Sequence, residues 1–168
     1  MGTGKPGRYL NTAGSGRTVS DFALVHSQEG RFVKPKKGYP ARLRLAAGGH
    51  GQAGMDLLDK YGIQYNIIKT YSNGVRIGNI PNHKNPKKQK GTNQSWFPRS
   101  WTDKDVKRAG THVAGLKGNR HVSDGIIVYG TYKGVRVGVI RSYGKISTVF
   151  PDSDQTLVLN KRRRKNEY

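Results

Sequence analysis

The sequence predicts an α+β fold, a twisted antiparallel sheet of hairpins packed by helices. Three observations carry this. Two stretches place apolar residues at helical spacing, several short alternating stretches are separated by turn signals, and no apolar run approaches the roughly 20 residues that cross a bilayer. The chain has 168 residues, a length suited to one domain with tails.

The first 40 residues are rich in Gly, Ser, Lys and Arg and lack sustained periodicity, so residues 1–40 read as a flexible basic arm or linker. Its only apolar stretch, Phe22-Ala23-Leu24-Val25, is too short for a signal-peptide core. The globular part is expected over residues 41–157, and a basic tail over 158–168 contains Lys161-Arg162-Arg163-Arg164-Lys165.

Within 41–157, Met55, Leu58 and Tyr61 predict a helix over Ala53–Tyr61, with Gly62 as its stop. Ile63–Thr70 and Val75–Ile80 read as strands joined by Ser72-Asn73-Gly74, because Asn-Gly tolerates the positive φ of tight turns. A basic loop follows over 81–92. Thr102 and Asp105 form a capping box for a second helix, where Val106, Ala109, Val113 and Leu116 make one buried stripe. Ile126–Tyr132, Val135–Arg141 and Lys145–Phe150 are three strands turned at Lys133-Gly134 and Tyr143-Gly144. The Thr70–Gly78 and Thr131–Gly138 segments echo one another weakly, as two good hairpins would.

Charge narrows the partner. There are 31 Lys and Arg against 10 Asp and Glu, a net +21. Such a chain repels itself, and a polyanion is the natural partner, nucleic acid before an acidic protein or an anionic membrane. Cysteine is absent, which removes disulfides, thiolate nucleophiles and Cys-based zinc sites. No Asp or Glu occurs from Lys60 through Thr102. Two-carboxylate glycosidases and two-metal nucleases need converging acids, and this sequence supplies poor material for either.

The acid–base groups left are His26, His50, His83, His112 and His121. His50 stands in Gly48-Gly49-His50-Gly51, before a predicted helix, where exposed N–H groups attract anions and glycine lets a phosphate approach. Alternatively it is a turn histidine that only caps. His83 enters a loop bearing Lys84, Lys87, Lys88 and Lys90, four lysines in seven residues, which make a concentrated phosphate-binding surface or a merely solvated one. His112 and His121 read as structural or exposed. His26 ranks below His83 unless the arm folds back. This inventory suits metal-free RNA cleavage, which needs a base for the 2′-hydroxyl, an acid for the departing 5′-oxygen and a cation for the phosphorane. A non-catalytic RNA- or DNA-binding module explains the charge equally well but gives His50 no role.

Five segments in order resemble the bacterial EndoU ribonuclease family, notably its toxin domains. They are Gly48–Gln52, Asn73–Lys84, Gln94–Pro98, Gly134–Gly138 and Gly144–Pro151. The resemblance implies a small α+β RNase fold shared with barnase-like toxins, no cofactor, and cleavage near uridine leaving a 2′,3′-cyclic phosphate. It implies a domain secreted or contact-delivered within a larger bacterial toxin, acting in the target-cell cytoplasm and blocked by an acidic immunity protein. His50 matches the family's Gly-Gly-His. Lys90, or a neighbour within Lys87–Lys90, matches the catalytic lysine. Thr148 and Phe150 match the Thr-x-Tyr/Phe-Pro element that holds uracil, here with Phe in place of a hydrogen-bonding Tyr. The family's second histidine lies shortly before Gly-Gly-His, where this chain has only His26, 24 residues upstream. His83 is therefore the expected partner of His50, with His26 the alternative, and Lys84, Lys87 and Lys88 bind substrate.

Overall fold

The computed structural model describes residues 16–35, 37 and 43–160. Its elements run α1 (Asp21–Gln28), β1 (Arg31–Val33), β2 (Arg44–Ala47), α2 (Gln52–Lys60), β3 (Asn66–Thr70), β4 (Arg76–Asn79), a 3₁₀ turn (Pro86–Lys88), β5 (Gln94–Trp96), α3 (Asp103–Gly115), β6 (Val128–Tyr132), β7 (Val135–Ser142) and β8 (Lys145–Pro151). The strands form three small antiparallel sheets, β1-β2, β3-β4-β5 and β6-β7-β8, instead of one continuous sheet. The class is α+β, as predicted.

Helix α1 and strand β1 correct the expected arm over 1–40. Ser20 caps α1 by accepting the Ala23 N–H at 3.0 Å. Val19, Ala23 and Leu24 then join the main core with Val106, Val113 and Val149. The Ser27 hydroxyl accepts the Val149 N–H at 2.9 Å, fastening α1 to β8. Two neighbours disguise this helix in the sequence. Phe22 and Val25 point outward, so its eight residues show no clean apolar stripe. Residues 1–15, and the basic block within 161–168, lie outside the described residues. Residues 156–160 are helical and Val158 is buried, so residues 158–160 belong to the folded part and not to the expected tail.

The second helix follows its sequence. In α3, Thr102 and Asp105 form the expected reciprocal capping box, and Val106, Ala109 and Val113 are buried. Leu116 is its C-cap and only half-buried. α3 packs on the β6-β7-β8 sheet, where Gly130 leaves room for Val113 and Leu116.

A smaller core gathers Leu45, Met55, Leu58, Ile63, Ile80 and Trp96. It holds α2 against β2 and the β3-β4-β5 sheet. The two halves are joined where the Ser95 hydroxyl donates to the Pro151 carbonyl at 2.7 Å. Asn73 adds a second link, donating from Nδ2 to Gly134 O at 3.1 Å and Gln155 Oε1 at 2.9 Å. In the Asn-Gly turn only Gly74 takes a positive φ, 95°; the Asn73 side chain instead accepts the Val75 N–H. The β6–β7 and β7–β8 turns do place both central residues at positive φ, Lys133 and Gly134 at 50° and 75°, Tyr143 and Gly144 at 53° and 72°. That is the type I′ geometry matched to strand twist. Among the described residues no helix is long and apolar enough to cross a membrane.

Candidate functional site

Gly48-Gly49-His50-Gly51 is built differently from the expected anion loop. The N–H groups of Gly49, His50 and Gly51 donate to the carbonyls of His26, Ser27 and Gln28. These are C-terminal carbonyls of α1, which the helix itself leaves without partners. The glycine-rich turn therefore caps α1 from outside, and those donors are not free for phosphate. α2 begins only after Gly51, which has no side chain with which to cap it.

The close approach explains the glycines. Gly48 and Gly49 sit at φ 68° and 73°. A Cβ on Gly48 would overlap the His26 carbonyl oxygen and press on its ring. Gly48→Ala is expected to destabilise the fold by about 2–4 kcal/mol, combining left-handed strain with overpacking. Urea unfolding checks this, and the same variant should separate His26 from His50 and lose activity beyond the loss of folded protein.

His50 is clamped at three points. Its N–H reaches Ser27, its carbonyl accepts the Phe97 N–H at 2.7 Å, and its Nδ1 lies 2.7 Å from the Ser95 carbonyl. A carbonyl can only accept, so Nδ1 carries the proton and Nε2 is left bare as an acceptor. Burial holds its pKa well below 6.5, and the Lys88 charge pushes the same way, while the Ser95 bond opposes them. His50 is thus a neutral base near pH 7.

A cavity of about 400 Å³ opens in front of it, between the two three-stranded sheets. His26, His50, His83, Lys88, Thr148 and Phe150 all line it. Thr148 and Phe150 alternate along β8 and so share a face. Phe150 lies across Gly138, its register partner, with its ring 5.7 Å from that of His50. Tyr129 pairs with Gly138 from the other side and also faces the cavity. Arg136 fixes that ring from 4.3 Å and is itself held by Asp152 at 2.8 Å.

Three placements differ from expectation. Lys90 is exposed and does not line the cavity, whereas Lys88 does. The reason is local: Asn85 caps the 3₁₀ turn by accepting the Lys87 N–H, and Ile80 N–H binds the Lys88 carbonyl at 2.9 Å, which turns Lys88 inward. Burial lowers Lys88 to about 8. Lys84 and Lys87 are exposed away from the cavity lining.

His83 reaches the cavity but is only 1% exposed. Its Nδ1 accepts the Asn85 N–H at 2.8 Å, so its proton sits on Nε2, which has no partner among the described residues. Burial, then Lys88 and Arg44, lower its pKa to about 4. This geometry makes it a neutral anchor of the basic loop. Its folded pKa lies below the unfolded value, so the unfolded chain takes up the proton first. Stability is expected to fall as pH drops from 6.5 toward 4, by roughly 3 kcal/mol from this residue. Urea midpoints of His83→Gln should be correspondingly less sensitive across that window.

His26 is half-buried and lines the same cavity, and burial followed by the Arg31 charge lowers its pKa. Sequence reasoning ranked it low because α1 was invisible. The signal that could have found it is Ser20 followed by an acidic Asp21, a helix-start signature. Ser95 and Asn85 also line the cavity, and no local pattern in the sequence marks either for a site role. His112 and His121 are exposed and outside the cavity lining. Among the described residues, no group of three or more His, Asp or Glu is placed to hold a metal ion.

A family model described as bacterial EndoU nuclease matches residues 23–153, beginning inside α1. No curated protein and no solved structure matches the chain.

Proposed function

The chain belongs to the bacterial EndoU nuclease family, and from that premise we propose that this nuclease is a metal-independent endoribonuclease cleaving single-stranded or loop RNA after uridine. The observation that carries this reading is His50, its Nε2 left as an acceptor, lining one cavity with His26, Lys88, Thr148 and Phe150. Uracil stacks on Phe150 while the Thr148 hydroxyl meets its polar edge. His50 Nε2 takes the proton of the 2′-hydroxyl, and O2′ bonds to phosphorus. Lys88 stabilises the negative charge gathering on the phosphorane. The P–O5′ bond breaks, and His26 gives the leaving oxygen its proton. The products are a 2′,3′-cyclic phosphate and a 5′-hydroxyl. Burial and the Arg31 charge disfavour the protonated His26 that this step needs, and a bound phosphate opposes both.

His26 replaces His83 as the second histidine in this reading. It is half-buried, whereas His83 is buried with its Nδ1 taken up by the Asn85 N–H. Each proton transfer contributes on the order of 10²–10⁴-fold.

The +21 charge and the family resemblance support one reading of the biological setting. We propose a toxin domain, secreted or contact-delivered, that acts on RNA in a target-cell cytoplasm. An acidic immunity protein would block it by electrostatic complementarity.

The test is incubation with total RNA in EDTA, with mapping of 3′ ends. Cyclic phosphates after uridine are expected. Activity that requires a divalent ion, or cleavage of a 2′-deoxy substrate, would overturn the reading.

A further inference from the structure

We propose that a second cavity, across His26 from the first, is a subsite for the nucleobase 3′ of the scissile phosphate. This rests on the RNA-cleaving assignment and extends it. The cavity has a volume of about 640 Å³ and is lined by Phe22, His26, Arg31, Tyr143, Lys145 and Ile146, among others. His26 lines both cavities, so whatever occupies the second adjoins the reacting phosphate. In the proposed reaction His26 protonates the leaving 5′-oxygen. That oxygen belongs to the 3′ nucleotide, whose base must then lie on this side.

Two aromatic rings mark the site. Phe22 is 85% exposed and Tyr143 96% exposed, far beyond what packing requires of either. Both belong to well-fastened elements. Phe22 stands in the first turn of α1, whose far end is capped by the Gly48–Gly51 turn. Tyr143 occupies a left-handed position, φ 53°, in a turn whose Gly144 N–H is held by the Asp124 carboxylate at 3.0 Å. A bulky residue there is strained where Asn or Gly would not be. Fold stability gives no reason to keep an exposed, strained ring at that tip, and a stacking platform does.

The chemistry of the rim selects the occupant. Arg31 and Lys145 are exposed cations, and among the described residues no carboxylate lines this cavity. The nearby Asp21 is engaged by Lys107 at 2.9 Å. Exposed aromatics with cations and no lining acids match a single-stranded polynucleotide, whose bases stack while its phosphates are neutralised. Ile146 supplies an apolar floor.

The test uses uncleavable oligonucleotides carrying 2′-deoxyuridine at the scissile position. Wild-type protein is expected to gain affinity when nucleotides are added 3′ of that uridine. Each ring should account for about a 10-fold share of that gain. In the Phe22→Ala/Tyr143→Asn double variant the gain should largely vanish. Asparagine suits the left-handed turn, so Tyr143→Asn keeps the hairpin. Separately, 2-aminopurine placed 3′ of the uridine should be quenched on binding to wild type and not to the variant. If the double variant binds extended oligonucleotides as wild type does, the rings face a protein partner and the subsite is overturned. A gain found only on 5′ extension would also overturn it. Because the readout is binding, it stands apart from cleavage: a protein that never cut RNA but lost this 3′ gain would keep the subsite and forfeit the ribonuclease assignment.

Discussion

His50→Ala is expected to lower kcat for RNA cleavage in EDTA by at least 10²–10⁴-fold, the contribution of one proton-transfer group. The effect should be chemical, not structural. His50 is anchored mainly through its backbone, by Ser27 and Phe97, and alanine keeps both bonds. What alanine removes is the Nε2 acceptor and the ring beside Phe150. It also leaves the Ser95 carbonyl without its 2.7 Å partner, which costs about 1–3 kcal/mol if water does not replace it. Unfolding curves of the variant separate that cost from the activity loss. A folded His50→Ala protein that cleaves at the wild-type rate would remove His50 from the mechanism.

The second large effect distinguishes two lysines. Lys88→Ala is expected to reduce kcat by on the order of 10²–10³-fold, as loss of a fixed charge at the developing phosphorane does. Lys90→Ala should leave kcat nearly intact and weaken RNA binding modestly, in a salt-dependent way. The pH profile adds an independent check. Lys88 loses its charge near pH 8, so wild-type activity should decline above that value. Bound RNA shifts that limb upward, since an anion favours the protonated amine. Lys88→Arg keeps its charge throughout and should lose the alkaline decline, whatever its absolute rate. Equal losses in Lys88→Ala and Lys90→Ala would return the catalytic role to the loop as a whole.

Much of the fold was legible because its cues are local. The capping box at Thr102, the stripe Val106-Ala109-Val113 and the turn glycines each act within a few residues, and the two expected helices and the strands β4, β6, β7 and β8 formed within a residue or two of expectation, while β3 starts three residues later than expected and β2 and β5 carried no local cue. The hairpin strands were bounded by their own turns. Helix α1 was not legible. Eight residues with outward Phe22 and Val25 carry too little periodicity to announce a helix, and its stability comes from Val149, α3 and the Gly48–Gly51 turn, all distant in the chain.

The site divides along the same line. His50, Thr148 and Phe150 could be read from short motifs because each motif contains its own reason: a glycine turn, an alternating strand. The choices between His26 and His83, and between Lys88 and Lys90, could not. Lys88 and Lys90 differ only in direction, which the 3₁₀ turn at Asn85 decides, and His26 enters the cavity only because α1 docks there. Local patterns in the chain suffice for an α+β class, a net charge of +21 and the residue types for metal-free phosphoryl chemistry. Which of those residues meet depends on long-range packing. The fold brought residues 26, 50, 88 and 148 to one cavity through hydrogen bonds and packing that no local pattern encodes.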